Sequence, residues 1–176
     1  MIPTSTSWYL AELGEARGKQ ELFIKQSPQK LKVLCEHALI ESAVSSNRIE
    51  GVEVEKSRIN TLISGKPLVH DRNKEEVRNG RVSRLLLLLQ CCQLGYEVGR
   101  YISLERLIEQ NKERYYETLE LSSAHWHEGT HNPWPYVNYI LFIIKSAYKE
   151  FEERLGAIKA RSSPIFISTA FCSIWG

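Results

Sequence analysis

The stretch Ser27-Pro28-Gln29-Lys30-Leu31-Lys32-Val33-Leu34-Cys35-Glu36-His37-Ala38-Leu39-Ile40-Glu41-Ser42 decides the fold class. Serine followed by proline is a helix start: the hydroxyl caps free amides, and proline's missing N–H costs nothing at the first helical position. Leu31, Leu34, Cys35, Ala38, Leu39 and Ser42 then recur at intervals of three and four, the period of one helix face. The pattern predicts a helix running to Glu50 and stopping at Gly51, since glycine enters the left-handed conformation of a helix end without strain.

Helix signals lie on both sides of this stretch. A second helix is expected over Val54 to Ile63, broken by Gly65-Lys66-Pro67. Asn73 followed by Glu76 reads as a cap with an acid three residues later, opening a helix through Val77, Leu85 to Leu89 and Leu94 that stops at Gly95. Gly80 inside it costs about 1 kcal/mol relative to alanine. Ser103 caps a further helix through Leu104, Leu107, Ile108, Tyr115 and Leu119, and Asn132-Pro133-Trp134-Pro135 opens the last, through Tyr139, Phe142, Ile143, Ala147 and Phe151 to Leu155-Gly156. Residues 1 to 26 carry short apolar pieces such as Trp8-Tyr9-Leu10 with Gly14 and Gly18 between them, and are expected to form an arm with one short helix. No alternating strand pattern and no internal repeat occurs, so the class expected is all-α. After Arg161 the sequence is uncharged, rich in Ile, Phe, Ser and Thr, and off the helical period; it either packs back on the core or forms a poorly folded tail. The expected organisation is an N-terminal region 1–66, a helical remainder 67–156 and a divergent apolar tail 157–176.

A chain of 176 residues with 43% hydrophobic and 25% charged side chains fits one globular domain. The net charge of +2 offers no electrostatic argument for nucleic acid. The first residues show no basic region followed by an apolar stretch, and the longest apolar runs, Leu85 to Leu89 and Ile140 to Ile144, fall far short of the ~20 residues that span a bilayer. Cys35, Cys91, Cys92 and Cys172 lack metal-binding or redox spacing and read as free thiols, which with the missing signal points to the cytoplasm.

Two stretches carry chemistry. In Asn79-Gly80-Arg81-Val82-Ser83-Arg84 the arginines are three apart and share a helix face. A helix starting at Gly80 would present free amides and its positive dipole end to an anion, with two guanidinium groups beside it: a phosphate site. The plain alternative is a solvated arginine face. In Ser46-Asn47-Arg48-Ile49-Glu50-Gly51, Ser46 and Glu50 share a face, and Glu50 sits in a last helical turn, where the dipole disfavours an acid. It needs a cationic partner or open water.

Taken together, Ser46, Glu50 and Gly51 with Asn79, Gly80, Arg81 and Arg84 resemble the Fic family, over about residues 1 to 156. The first three match its regulatory-helix pattern Ser/Thr-x-x-x-Glu-Gly/Asn, and the other four match the end of its motif HPFxxGNGRxxR. Leu94-Gly95-Tyr96, Asn111 with Tyr115-Tyr116, and Trp134-Pro135-Tyr136 are similar to family sequence as well. The resemblance implies a Fic-like helical bundle and transfer of AMP from ATP to a protein side-chain hydroxyl, with magnesium as cofactor. It implies phosphate binding by Asn79, Gly80, Arg81 and Arg84, inhibition by Ser46, Glu50 and Gly51 through a Glu50–Arg84 pair, and a nucleobase pocket at Asn111 and Tyr115.

The departures concern catalysis. Counting back from Asn79 puts Asn73 at the histidine position, Val77 at that of the metal-holding acid and Arg78 at that of the first glycine. Asn73 cannot take a proton near neutral pH, and His70 and Glu76 are off the required spacing. Only residues 52 to 78 separate the two motifs, so several core helices and the target-binding hairpin are expected to be missing, and the C-terminus to be truncated. If one helix runs from Lys74 through Gln93, the amides at Gly80 and Arg81 are bonded within it and lost to phosphate. The chain is therefore expected to be inactive. The alternative is a non-catalytic helical module that binds a protein partner, a second copy or an intact Fic relative. His125, His127 and His131 share one loop, but no carboxylate or cysteine completes a zinc set, so no metal site is assigned.

Overall fold

The computed structural model describes residues 2–26, 28–51 and 74–156. Among them all regular structure is helical: α1 (Thr4–Gln26), α2 (Pro28–Ile49), α3 (Lys74–Gln93), α4 (Leu104–Gln110), α5 (Lys112–Ser123) and α6 (Trp134–Leu155), with short 3-10 turns over Glu97–Arg100 and Trp126–Glu128. The all-α class read from the sequence is the class observed.

α6 is the centre of the packing. Tyr139, Ile143, Ala147 and Phe151 are almost wholly buried at intervals of four, a continuous apolar stripe. α1 lies along one side of α6 and α5 along another, while α2 packs on α4. The Phe151 ring meets Phe23 of α1 edge-on at 5.8 Å and Tyr101 at 5.3 Å. Each fully buried Leu, Ile or Phe contributes about 1.5–3 kcal/mol, so this shared core ties early and late segments together. α3 seats against the Glu97–Arg100 turn, where Gly99 admits the Leu88 side chain into space that a Cβ would fill.

Several element ends follow the expected chemistry. The Ser103 hydroxyl accepts from the Arg106 amide at 3.1 Å, and the Asn132 side chain accepts from the Trp134 amide at 3.2 Å. Gly51, Gly95 and Gly156 follow helices with φ of 75°, 84° and 82°.

Two expectations are corrected. Residues 4–26 form one helix of 23 residues rather than an arm. Gly14 and Gly18 face open space, and their cost of about 1 kcal/mol each is offset by the packing of other α1 side chains on α6. Leu13 and Phe23 are buried there, the Thr6 hydroxyl lies 2.6 Å from Asn138 Oδ1, and Gln20 Oε1 accepts from the Tyr148 hydroxyl at 2.7 Å. The helix expected from Ser103 to Leu119 is two helices, divided at Asn111, whose φ of −119° and ψ of 33° leave the helical region. Its side-chain amide donates to the Leu107 carbonyl at 2.9 Å, satisfying the end of α4. The expected helix over Val54 to Ile63, the break at Gly65-Lys66-Pro67, the caps at Ser27 and Asn73, and the tail 157–176 lie outside the described residues. Among the described helices none is long and apolar enough to cross a membrane.

Candidate functional site: a buried arginine clasp

The C-terminus of α2 is where the two motifs meet. A helix end leaves carbonyls without partners and carries partial negative charge. Here the Glu50 amide bonds to the Asn47 carbonyl at 3.1 Å, a tightened last turn that frees the Ser46 carbonyl. Arg84 of α3 takes it: Nη2 lies 3.4 Å from both the Ser46 carbonyl and the Ser46 hydroxyl. Two more groups complete the cap, the Lys112 ammonium on the Arg48 carbonyl at 3.2 Å and the Tyr116 hydroxyl on the Ile49 carbonyl at 3.0 Å.

Glu50 is the acid that the helix dipole disfavours, and it has the cationic partner it needs. Its Oε1 lies 2.8 Å from Arg84 Nη1, with only 2% of the Arg84 side chain and 13% of the Glu50 side chain exposed. Gly80 makes room for this pair, because a Cβ there would stand 2.7 Å from Glu50 Oε1. One turn from Arg84, Arg81 donates to Asn47 Oδ1 at 2.5 Å, and Asn47 in turn donates to the Ala43 carbonyl at 2.6 Å. Burial works against the charge on Arg84, but the Glu50 and Tyr115 oxygens outweigh it and raise its pKa. For Arg81 burial prevails: its pKa is lowered, with Glu50 opposing and Arg84 adding to the shift.

The structure thus brings Ser46, Glu50, Gly80, Arg81 and Arg84 into one cluster. Gly51 stands at its edge as the glycine after α2, and Asn79 is part of α3. Asn73 lies outside the described residues. Asn111 joins α4 to α5, and Tyr115 is 3% exposed, packed among the rings of Tyr116, Tyr136 and Tyr139 at 5.1, 6.2 and 5.9 Å. Sequence reasoning missed Asn47, Lys112 and the capping role of Tyr116. Asn47 carried a faint signal, being a polar residue between Ser46 and Glu50, whereas Lys112 and Tyr116 act on backbone carbonyls that only the tertiary fold brings near.

These residues do not fit magnesium-ATP as arranged. α3 begins at Lys74, so the amides of Gly80 and Arg81 lie beyond its first turn and are bonded within the helix. No glycine-rich turn presents them to an anion, and Arg84 is engaged by Glu50 and Ser46. The buried Nε–H groups of Arg81 and Arg84 have no acceptor among the described residues, but two such donors without a cradle do not hold a triphosphate. Among the described residues no group of three or more His, Cys, Asp or Glu side chains is placed to hold a metal ion. In the histidine loop, His125 pairs with Glu128 at 3.0 Å and His131 lies against the Trp126 ring. An open groove of about 440 Å³ between α2 and α4 has its charges paired internally, Arg106 with Glu41 at 3.1 Å and Arg48 with Glu109 at 3.5 Å.

Compared with known protein families and with curated proteins, the chain gives no match.

Proposed function

We propose that this chain is a Fic-related helical protein in which the residues of the nucleotide-phosphate motif hold α2 and α3 together, and that it does not transfer AMP. The observation that carries the proposal is the 2.8 Å Glu50–Arg84 pair with the arginine side chain 2% exposed. The spacing of Ser46, Glu50 and Gly51, and of Asn79, Gly80, Arg81 and Arg84, supports the relationship to Fic proteins that use ATP and magnesium. The continuity of α3 through Gly80 and the asparagine at position 73 support the loss of transfer. For Arg84 to grip a phosphate it must first leave Glu50 and Ser46, and stripping one partner from a buried ion pair costs about 3–5 kcal/mol. A cytoplasmic setting fits the free thiols of Cys35, Cys91 and Cys92. The experiment is equilibrium dialysis of magnesium-ATP against the whole chain and its Glu50→Gly variant, both checked for helix content. No saturable binding is expected in either. Saturable binding that tightens on removing Glu50 overturns the proposal and restores an enzyme held by a brake.

A non-catalytic helical interaction module, indifferent to ATP, is the second reading. It is favoured by the apolar side chains that α3 exposes, Val82, Leu85, Leu86 and Leu89.

A further inference from the structure

We propose that the groove between α2 and α4 binds a small zwitterion with an apolar body, of the class of the aliphatic α-amino acids. The site is separate from the arginine clasp and from the interaction reading. The groove holds about 440 Å³, within the roughly 300–1,000 Å³ of small-molecule sites. From α2 it is lined by Ile40, Val44, Ser45 and Arg48, and from α4 by Arg106 and Glu109. Ile40, Val44 and Arg48 are four apart, so they share one helix face, with Ser45 beside them.

The charged groups of the groove fall into two sets. Arg106 is engaged on all three nitrogens: Nε donates to Glu41 at 3.1 Å, Nη1 to Gln110 at 3.4 Å and Nη2 to Glu150 at 2.6 Å. It is a wall of the groove. Arg48 and Glu109 meet only at 3.5 Å, with 54% and 25% of their side chains exposed. An ion pair that long and that open is worth little, so a ligand displaces it cheaply. Ser45 adds a second and independent sign. The residue is 3% exposed and lines the groove. Its hydroxyl has no hydrogen-bond partner among the described residues, whereas the nearby Ser42 and Ser46 hydroxyls bond to Glu105 and Arg84. A hydroxyl so deeply placed gains by meeting a polar group in the groove.

The charge pattern selects the ligand. An anion held by Arg48 draws the guanidinium from Glu109 and leaves that acid unpaired; a cation held by Glu109 does the converse to Arg48. A ligand carrying both signs satisfies both residues at once. In an α-amino acid the carboxylate matches the fork of the Arg48 guanidinium, and the ammonium offers three donors to Glu109. The aliphatic side chain finds Ile40 and Val44.

The test is equilibrium dialysis of labelled L-leucine against the whole chain. The competitors are isocaproate, which is leucine without its ammonium, and isoamylamine, which is leucine without its carboxylate. The expected result is saturable one-to-one binding of leucine, with each competitor weaker by about ten-fold, the scale of losing one hydrogen-bonded charge. Arg48→Gln and Glu109→Gln, each checked for unchanged helix content, should weaken leucine by about ten-fold, and Ser45→Ala should weaken it by less. The competitor measurements use the wild-type chain and do not depend on how the variants fold. No saturable binding of leucine overturns the proposal. So does isocaproate or isoamylamine that competes as well as leucine itself, or leucine binding unchanged in folded Arg48→Gln or Glu109→Gln.

Discussion

Gly80 shows how one position can carry two meanings. In the proposed relationship to Fic proteins it corresponds to the glycine of a phosphate turn; in the structure it is a helical residue whose missing side chain lets Glu50 approach Arg84. The two roles are separable by substitution. Alanine favours a helix over glycine by about 1 kcal/mol, but at position 80 its Cβ would stand 2.7 Å from a carboxylate oxygen that Arg84 holds in place. Gly80→Ala is therefore expected to lower stability by about 1–2 kcal/mol, within the ordinary range for local crowding. In a Glu50→Gly background the same change should raise it by about 1 kcal/mol. Urea unfolding of the four proteins in this cycle gives the coupling directly. Additive effects, with the sign unchanged by Glu50, would mean that the glycine is not there for the ion pair.

Among the elements, those with ends written in single residues were legible. Pro28, Ser103, Asn132 and the glycines at 51, 95 and 156 mark boundaries by their own chemistry, and the boundaries stand at or beside them. The Ser103 cap can be tested on this basis. Its hydroxyl accepts from the Arg106 amide and also lies 2.9 Å from the Ser42 hydroxyl, fully buried. Ser103→Ala is expected to cost about 1–2 kcal/mol, whereas Ser123→Ala, at an exposed helix end, should be near neutral; chemical denaturation of both variants decides it. α1 was illegible for a physical reason. Its core face includes Thr6 and Gln20, which look like surface residues until partners at Asn138 and Tyr148 arrive from more than a hundred positions away. Trp8, the most conspicuous apolar residue of the segment, is 70% exposed. The clasp divides the same way. An acid in the last turn of a helix calls for a cationic partner or open water, so Glu50 carried half of the answer, whereas Lys112 and Tyr116 serve backbone carbonyls and carried no such signal.

At the scale of the whole molecule, the buried Tyr139 and Tyr148 and the half-buried Tyr136 set an alkaline limit. Burial, with Tyr115 close by, pushes the Tyr136 phenol from 10.0 up to about 12, and burial raises Tyr139 and Tyr148 as well. A phenol is neutral when protonated, so the folded chain holds these protons more tightly than the unfolded chain. Stability is therefore complete below the unfolded pKa of 10.0 and is lost as the pH rises towards the folded value of about 12. At about 1.4 kcal/mol per pKa unit, the shift at the half-buried Tyr136 corresponds to at most about 3 kcal/mol. Urea midpoints are expected to fall across that window while the folded phenols resist ionisation by ultraviolet absorbance. Midpoints that hold steady, with all phenols titrating together near the ordinary value, would show that these rings are not shielded from water.

The core that buries Tyr139 and Tyr148 also buries Arg84, and under the proposed function that arginine belongs to the fold and not to a nucleotide. The most direct measurement is transfer of label from α-labelled ATP to protein, using folded Glu50→Gly chain with an Arg84→Ala chain as control. The expected result is no protein-bound AMP in the Glu50→Gly sample above the control. Label that appears on removing Glu50 and disappears on removing Arg84 would contradict the claim, and would mean that a base other than Asn73 completes a working transferase.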